Sequence, residues 1–139
     1  MGGAFDQAFV QEAVDQSVRL ERALSRLHTK QRVALLHYGP IKATILGEDP
    51  ELFPFLGCSR LEDPLNRFKV DVVFHGHAHN GTPAGETSAK VPVFNVALPL
   101  LAKMQPNQPH FRLFELKVTP PEATAVPAPA APAAAAVAA

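Results

Sequence analysis

The chain has 139 residues, and its 13 basic and 13 acidic side chains cancel, so no net field draws it to nucleic acid or to an anionic membrane. The last 21 residues, from Thr119, hold 11 Ala and 5 Pro and nothing aromatic, which divides the chain into one folding domain over 1–118 and a disordered Ala/Pro-rich tail over 119–139 that is too short and too Pro-rich to span a bilayer. One cysteine, Cys58, excludes an internal disulfide and suits a reducing compartment; the opening "MGGAFDQAFVQEAVDQ" lacks an apolar signal region, and the chain reads as cytoplasmic.

Taken in order, the first element is an amphipathic helix predicted over residues 5–28. Stepping 100° per residue from Phe9 brings Phe5, Ala13, Leu20, Ala23, Leu24 and Leu27 within roughly 100° of arc. The run "RVALLH" then reads as a buried strand ending at His37, punctuated by Gly39 and Pro40. Tyr38 to Arg60, with Pro40, Pro50 and Pro54, reads as a long ordered loop, and loops of that length are usually functional. "LEDPLNRF" predicts a short helix with Pro64 in its first turn. "VDVVFHGH" repeats the earlier grammar of buried strand, His and glycine-bearing loop, and "VPVFNVAL" and "HFRLFELKV" read as two further strands.

This order implies an α/β layer arrangement whose chemistry sits at strand ends. If the strands leading to His37 and His77 lie side by side and parallel, both histidines emerge at one edge of the sheet.

The stretch "FHGHAHNG" places His75, His77 and His79 within five residues. In extended chain, residues two apart project to one side, so His77 and His79 can aim at one place or at two adjacent ones. Gly76 lets the backbone turn at the strand end, and Asn80-Gly81 marks a tight turn beyond. Neutral imidazole is a common ligand for zinc, iron, manganese, nickel and copper, which makes His37, His77 and His79 the candidate metal ligands. His75 is assigned a supporting place behind them, ordered by a backbone carbonyl. His28 at a helix end and His110 at a strand start are read as structural. Ser59 and Arg60 are candidate phosphate contacts, Arg60 for its guanidinium, against a surface role beside Glu62 and Asp63.

"VDVVFHGHAH" resembles the G-H-x-H motif of calcineurin-like metallophosphoesterases, and "VALLHYGPI" resembles the single-histidine motif that precedes it; the likeness covers about residues 30–118. The resemblance implies the C-terminal half of a β-sandwich flanked by helices in α/β/β/α layers. It also implies two divalent metal ions (manganese, iron, zinc or similar), His37 and His77 on one and His79 on the other, and a phosphomonoester or phosphodiester substrate. The family's D-x-H, G-D-x-x-D and G-N-H-D/E motifs do not occur in the chain. Asp6, Asp15, Asp49, Asp63 and Asp71 stand in none of those contexts.

Hydrolysis by a metal pair ordinarily needs a carboxylate to hold both ions, and three neutral imidazoles supply no negative charge. The expectation is therefore either a truncated reading frame or one half of a site completed by another, N-terminal half. Two alternatives stand beside the phosphoesterase: a non-catalytic metal-binding or interaction module that has kept its histidines, and a mononuclear zinc hydrolase on His37, His77 and His79.

Overall fold

The computed structural model describes residues 3–117; the expectations for the side chain of Phe5 and for the tail lie outside what it describes. Helix α1 (Gly3–Ser25) forms where the periodicity places it. Its polar side is supported by same-face hydrogen bonds, Gln11 Nε2 donating to Asp15 Oδ1 and Gln16 Nε2 to Glu12 Oε1. Its apolar side buries Leu24 and brings Leu20 against the core, while the Phe9 ring meets Phe55 at 5.1 Å. Leu27 does not share that face: the helix ends at Ser25, and Leu27 is exposed.

Four strands follow: β1 (Val33–Leu36), β2 (Val72–His75), β3 (Ala84–Glu86) and β4 (Pro92–Asn95). They lie in the order β1-β2-β4-β3, with β1, β2 and β4 parallel and β3 antiparallel to β4. The register sets Leu36 beside His75 and His75 beside Asn95, so the three parallel strands end level. That is the parallel pairing expected of the two histidine-bearing strands. One face of the sheet, through Ala34, Val73 and Val93, packs on Leu24 of α1 and Leu65 of α3 (Glu62–Arg67). Burying each of these Val and Leu side chains contributes about 1.5–3 kcal/mol.

The opposite face is only partly covered. Phe74 and Phe94 stack at 5.8 Å, Phe114 lies against both, and the Arg112 guanidinium sits 3.8 Å from the Phe94 ring centroid. Toward β1 that cover stops, and Val33 and Leu35 remain 49% and 79% exposed. The buried strand expected at "RVALLH" is therefore an edge strand, with no neighbour on its outer side among the described residues.

Residues 111–117 form no strand: Phe114 packs its ring against Phe74 and Phe94, and the segment's backbone is held at its end where Lys117 O accepts from Gln31 Nε2. Two elements carry no clear local signal: α4 (Leu98–Met104), which buries Leu100 and Leu101, and the short β3. Residues 38–60 are largely a chain of tight helical turns at Lys42–Thr44, Pro50–Leu52, α2 (Phe53–Leu56) and Ser59–Leu61. They are clamped to the end of β1 where Gly39 N donates to Leu56 O and Cys58 N to Gly39 O. Among the described residues no helix is long and apolar enough to cross a membrane.

Candidate metal centre

Because β1 and β2 end level, His37 and the loop after His75 meet at the carboxyl edge of the sheet. The rings of His37 and His77 lie 4.6 Å apart, centroid to centroid, at 35°. Tyr38 stands edge-on to both, at 4.9 and 5.4 Å. His79 is 6.5 Å from His77 with its ring turned by 81°, so the two histidines of H-x-H address different places.

The backbone explains why. His77 has φ 69°, in the left-handed region that L residues enter at a cost of about 1–2 kcal/mol. The turn expected at Gly76 is thus made by His77 itself, and a Cβ placed on Gly76 would meet nothing within 4 Å. A non-glycine residue held in that conformation is the kind of local strain that gathers at functional sites.

His75 points the other way, into the core, and is fully buried. Its Nδ1 lies 2.9 Å from Gly76 O and its Nε2 2.7 Å from Thr44 Oγ1. A carbonyl can only accept, so the neutral ring carries its proton on Nδ1 and Nε2 accepts from the Thr44 hydroxyl. Burial holds this imidazole below its ordinary pKa, against the opposing pull of the Gly76 carbonyl. His75 makes no hydrogen bond to His37, His77 or His79; it supports the loop through Thr44 rather than orienting a ligand ring.

Thr44 and Asn95 organise the same seam. Asn95, also buried, donates from Nδ2 to Ala78 O at 2.8 Å, and its Oδ1 accepts from Ala97 N. Thr82 N donates to Thr44 O. Gly81 fits this junction because a Cβ there would come within 2.3 Å of Thr44 O. On the outer side, Glu48 accepts from both Asn80 N and Asn80 Nδ2, and Lys103 of α4 donates to Asn80 Oδ1. Partial desolvation pushes the Glu48 carboxyl up, but the Asn80 bonds, with His79 and Lys103 nearby, outweigh it and hold its pKa below the usual value.

Two nitrogen ligands of a tetrahedral zinc lie about 3.3 Å apart, given bonds of about 2.0–2.1 Å, a span that rings at the separation of His37 and His77 accommodate. Beyond that pair the set thins. Among the described residues no three His, Cys, Asp or Glu side chains converge to hold an ion. Glu48, the carboxylate close to His79, has both oxygens committed to Asn80. Arg60 is exposed on the 59–61 turn, its carbonyl accepting from Ser17 Oγ of α1, and Ser59 is exposed beside it; these hydrogen bonds do not tie either residue to the histidine loop. His28 and His110 are exposed in irregular chain.

Thr44, Glu48, Asn95 and Lys103 were not candidates in the sequence. Only Asn95 carried any signal, as a polar residue inside an apolar strand. The architecture is a mixed α/β chain with a histidine pair at the carboxyl edge of a parallel strand pair. Comparisons with family models, with curated proteins and with solved structures return no match.

Proposed function

We propose that this chain is the histidine-bearing half of a metal-dependent phosphoesterase. The observation that carries the reading is the His37–His77 pair. Residues forty positions apart are brought ring to ring by two parallel strands that end level, in the sequence context that resembles the calcineurin-like motifs. His37 and His77 would hold one divalent ion and His79 would contribute to a second. When bound, such ions supply Lewis-acid neutralisation of the phosphoryl oxygens. The chain's own residues hold the loop in place: Thr44, His75 and Asn95 seat it from below, and the Glu48–Asn80–Lys103 contacts fasten its outer side.

In this reading the missing carboxylates come from a second half, either preceding this segment in a longer chain or carried by another polypeptide. Two features support it: among the described residues β1 has an open outer edge, and its Val33 and Leu35 are exposed. A row of unpaired backbone groups flanked by exposed apolar side chains is what an added strand and a covering layer would complete, giving the second sheet of a sandwich. The commitment of Glu48 to Asn80 favours a second reading, in which the chain binds metal without catalysis.

The test is zinc or manganese titration of the 139-residue chain by calorimetry, together with turnover of an aryl phosphate. One weakly held ion is expected, nearly lost in His77→Ala, weakened in His37→Ala and less affected in His79→Ala. Turnover by the chain alone should be negligible. Metal binding that survives His77→Ala unchanged, or brisk turnover by that variant, refutes the assignment.

A further inference from the structure

Beside His37 the surface is not flat. An open groove of about 520 Å³ runs between α1 and the end of β1, floored by Leu20, Leu36 and Leu61 and edged by Gln16, Arg19, Tyr38 and His37. Its size falls within the range of small-molecule sites, and its make-up is theirs too: an apolar floor with a few polar groups at the rim. No acidic side chain lines it, and Arg19 makes no hydrogen bond or ion pair among the described residues. An uncompensated guanidinium over an apolar floor favours a ligand with one anionic end and one flat or greasy end. The groove is continuous with the candidate metal centre, because His37 and Tyr38 belong to both.

We infer that this groove binds a phosphomonoester whose ester group is aromatic or otherwise apolar, the ester group lying on Leu20, Leu36 and Leu61 and the phosphate meeting Arg19 at the rim. The inference takes its chemistry from the phosphoesterase reading, but the binding it describes does not require metal. It moves the phosphate-contacting arginine from Arg60, where the sequence suggested it, to Arg19 on α1.

Phenyl phosphate is titrated into the metal-free, full-length protein, with phenol and inorganic phosphate as separate probes. Binding is followed by backbone amide shifts and by the fluorescence of Tyr38, the sole tyrosine in a chain without tryptophan. Saturable shifts are expected at Gln16, Ala23, Leu36 and Leu61, with phenyl phosphate binding more tightly than either fragment. Arg19→Ala should weaken phenyl phosphate about fivefold while leaving phenol unchanged, and Arg19→Lys should restore part of the loss. Because the titration is run without metal, groove binding is read independently of ion binding, so the two readings fail separately. Shifts confined to residues 76–82, equal affinity in Arg19→Ala, or no saturable binding of phenyl phosphate would each overturn the inference.

Discussion

Thr44→Val is the sharpest probe of how the histidine loop is seated. Thr44 is fully buried, and its hydroxyl is the donor for His75 Nε2 at 2.7 Å. Because Gly76 O already takes the Nδ1 proton, no other donor satisfies Nε2. Valine keeps the shape of the side chain and removes that donor, leaving a buried acceptor unpaired at a cost of about 1–3 kcal/mol. For a domain of this size about 2 kcal/mol lowers Tm by about 8 °C. Thr44→Ser makes the opposite cut, keeping the hydroxyl and losing a methyl, for about 1 kcal/mol. The order of stability in urea denaturation at pH 7.5 should therefore be wild type, then Thr44→Ser, then Thr44→Val. If packing alone mattered, valine would be nearly neutral and serine the worse. Finding Thr44→Val as stable as Thr44→Ser would refute the argument that this hydrogen bond seats the loop.

Two further outcomes follow from the same geometry. At the left-handed position 77, His77→Gly should be more stable than His77→Ala by about 1 kcal/mol, since both lose the ring and only glycine escapes the strain; equal melting temperatures would mean that the strain is absent in solution. The pKa of His75 is depressed in the folded state, so the unfolded chain takes up its proton first: stability is fully present above the ordinary value of about 6.5 and falls as pH drops below it toward the depressed one. Urea denaturation at pH 7.5 and 5.0 should show that decline in the wild type and a shallower one in His75→Gln, and parallel declines would count against it.

Local pattern was enough for α1, β1, β2 and β4, because apolar periodicity and Gly/Pro punctuation mark such elements without reference to the rest of the chain. The same local pattern singles out His37, His77 and His79, and the repeated grammar of strand then histidine anticipates the meeting of His37 and His77. It failed where the answer depends on a neighbour. "HFRLFELKV" alternates like a strand, yet Phe114 packs over Phe74 and Phe94 and residues 111–117 join no strand ladder among the described residues. β1 is as apolar as a central strand but lies at an edge. α4 was hidden by a short apolar run that fits helix and strand alike.

Within the histidine stretch, sequence determined which side chains were available, and tertiary structure decided their roles. His75 and His77 share a phase in an extended chain, but the left-handed turn at His77 breaks that phase and leaves one imidazole in the core and the other beside His37. That Arg19 and His37 line one groove likewise has no local signature, since it arises only when α1 packs against the 59–61 turn and the sheet. The physical reason is common to all of these. Propensity and periodicity act over a few residues, whereas facing, burial and charge pairing are properties of surfaces that form only when distant segments pack.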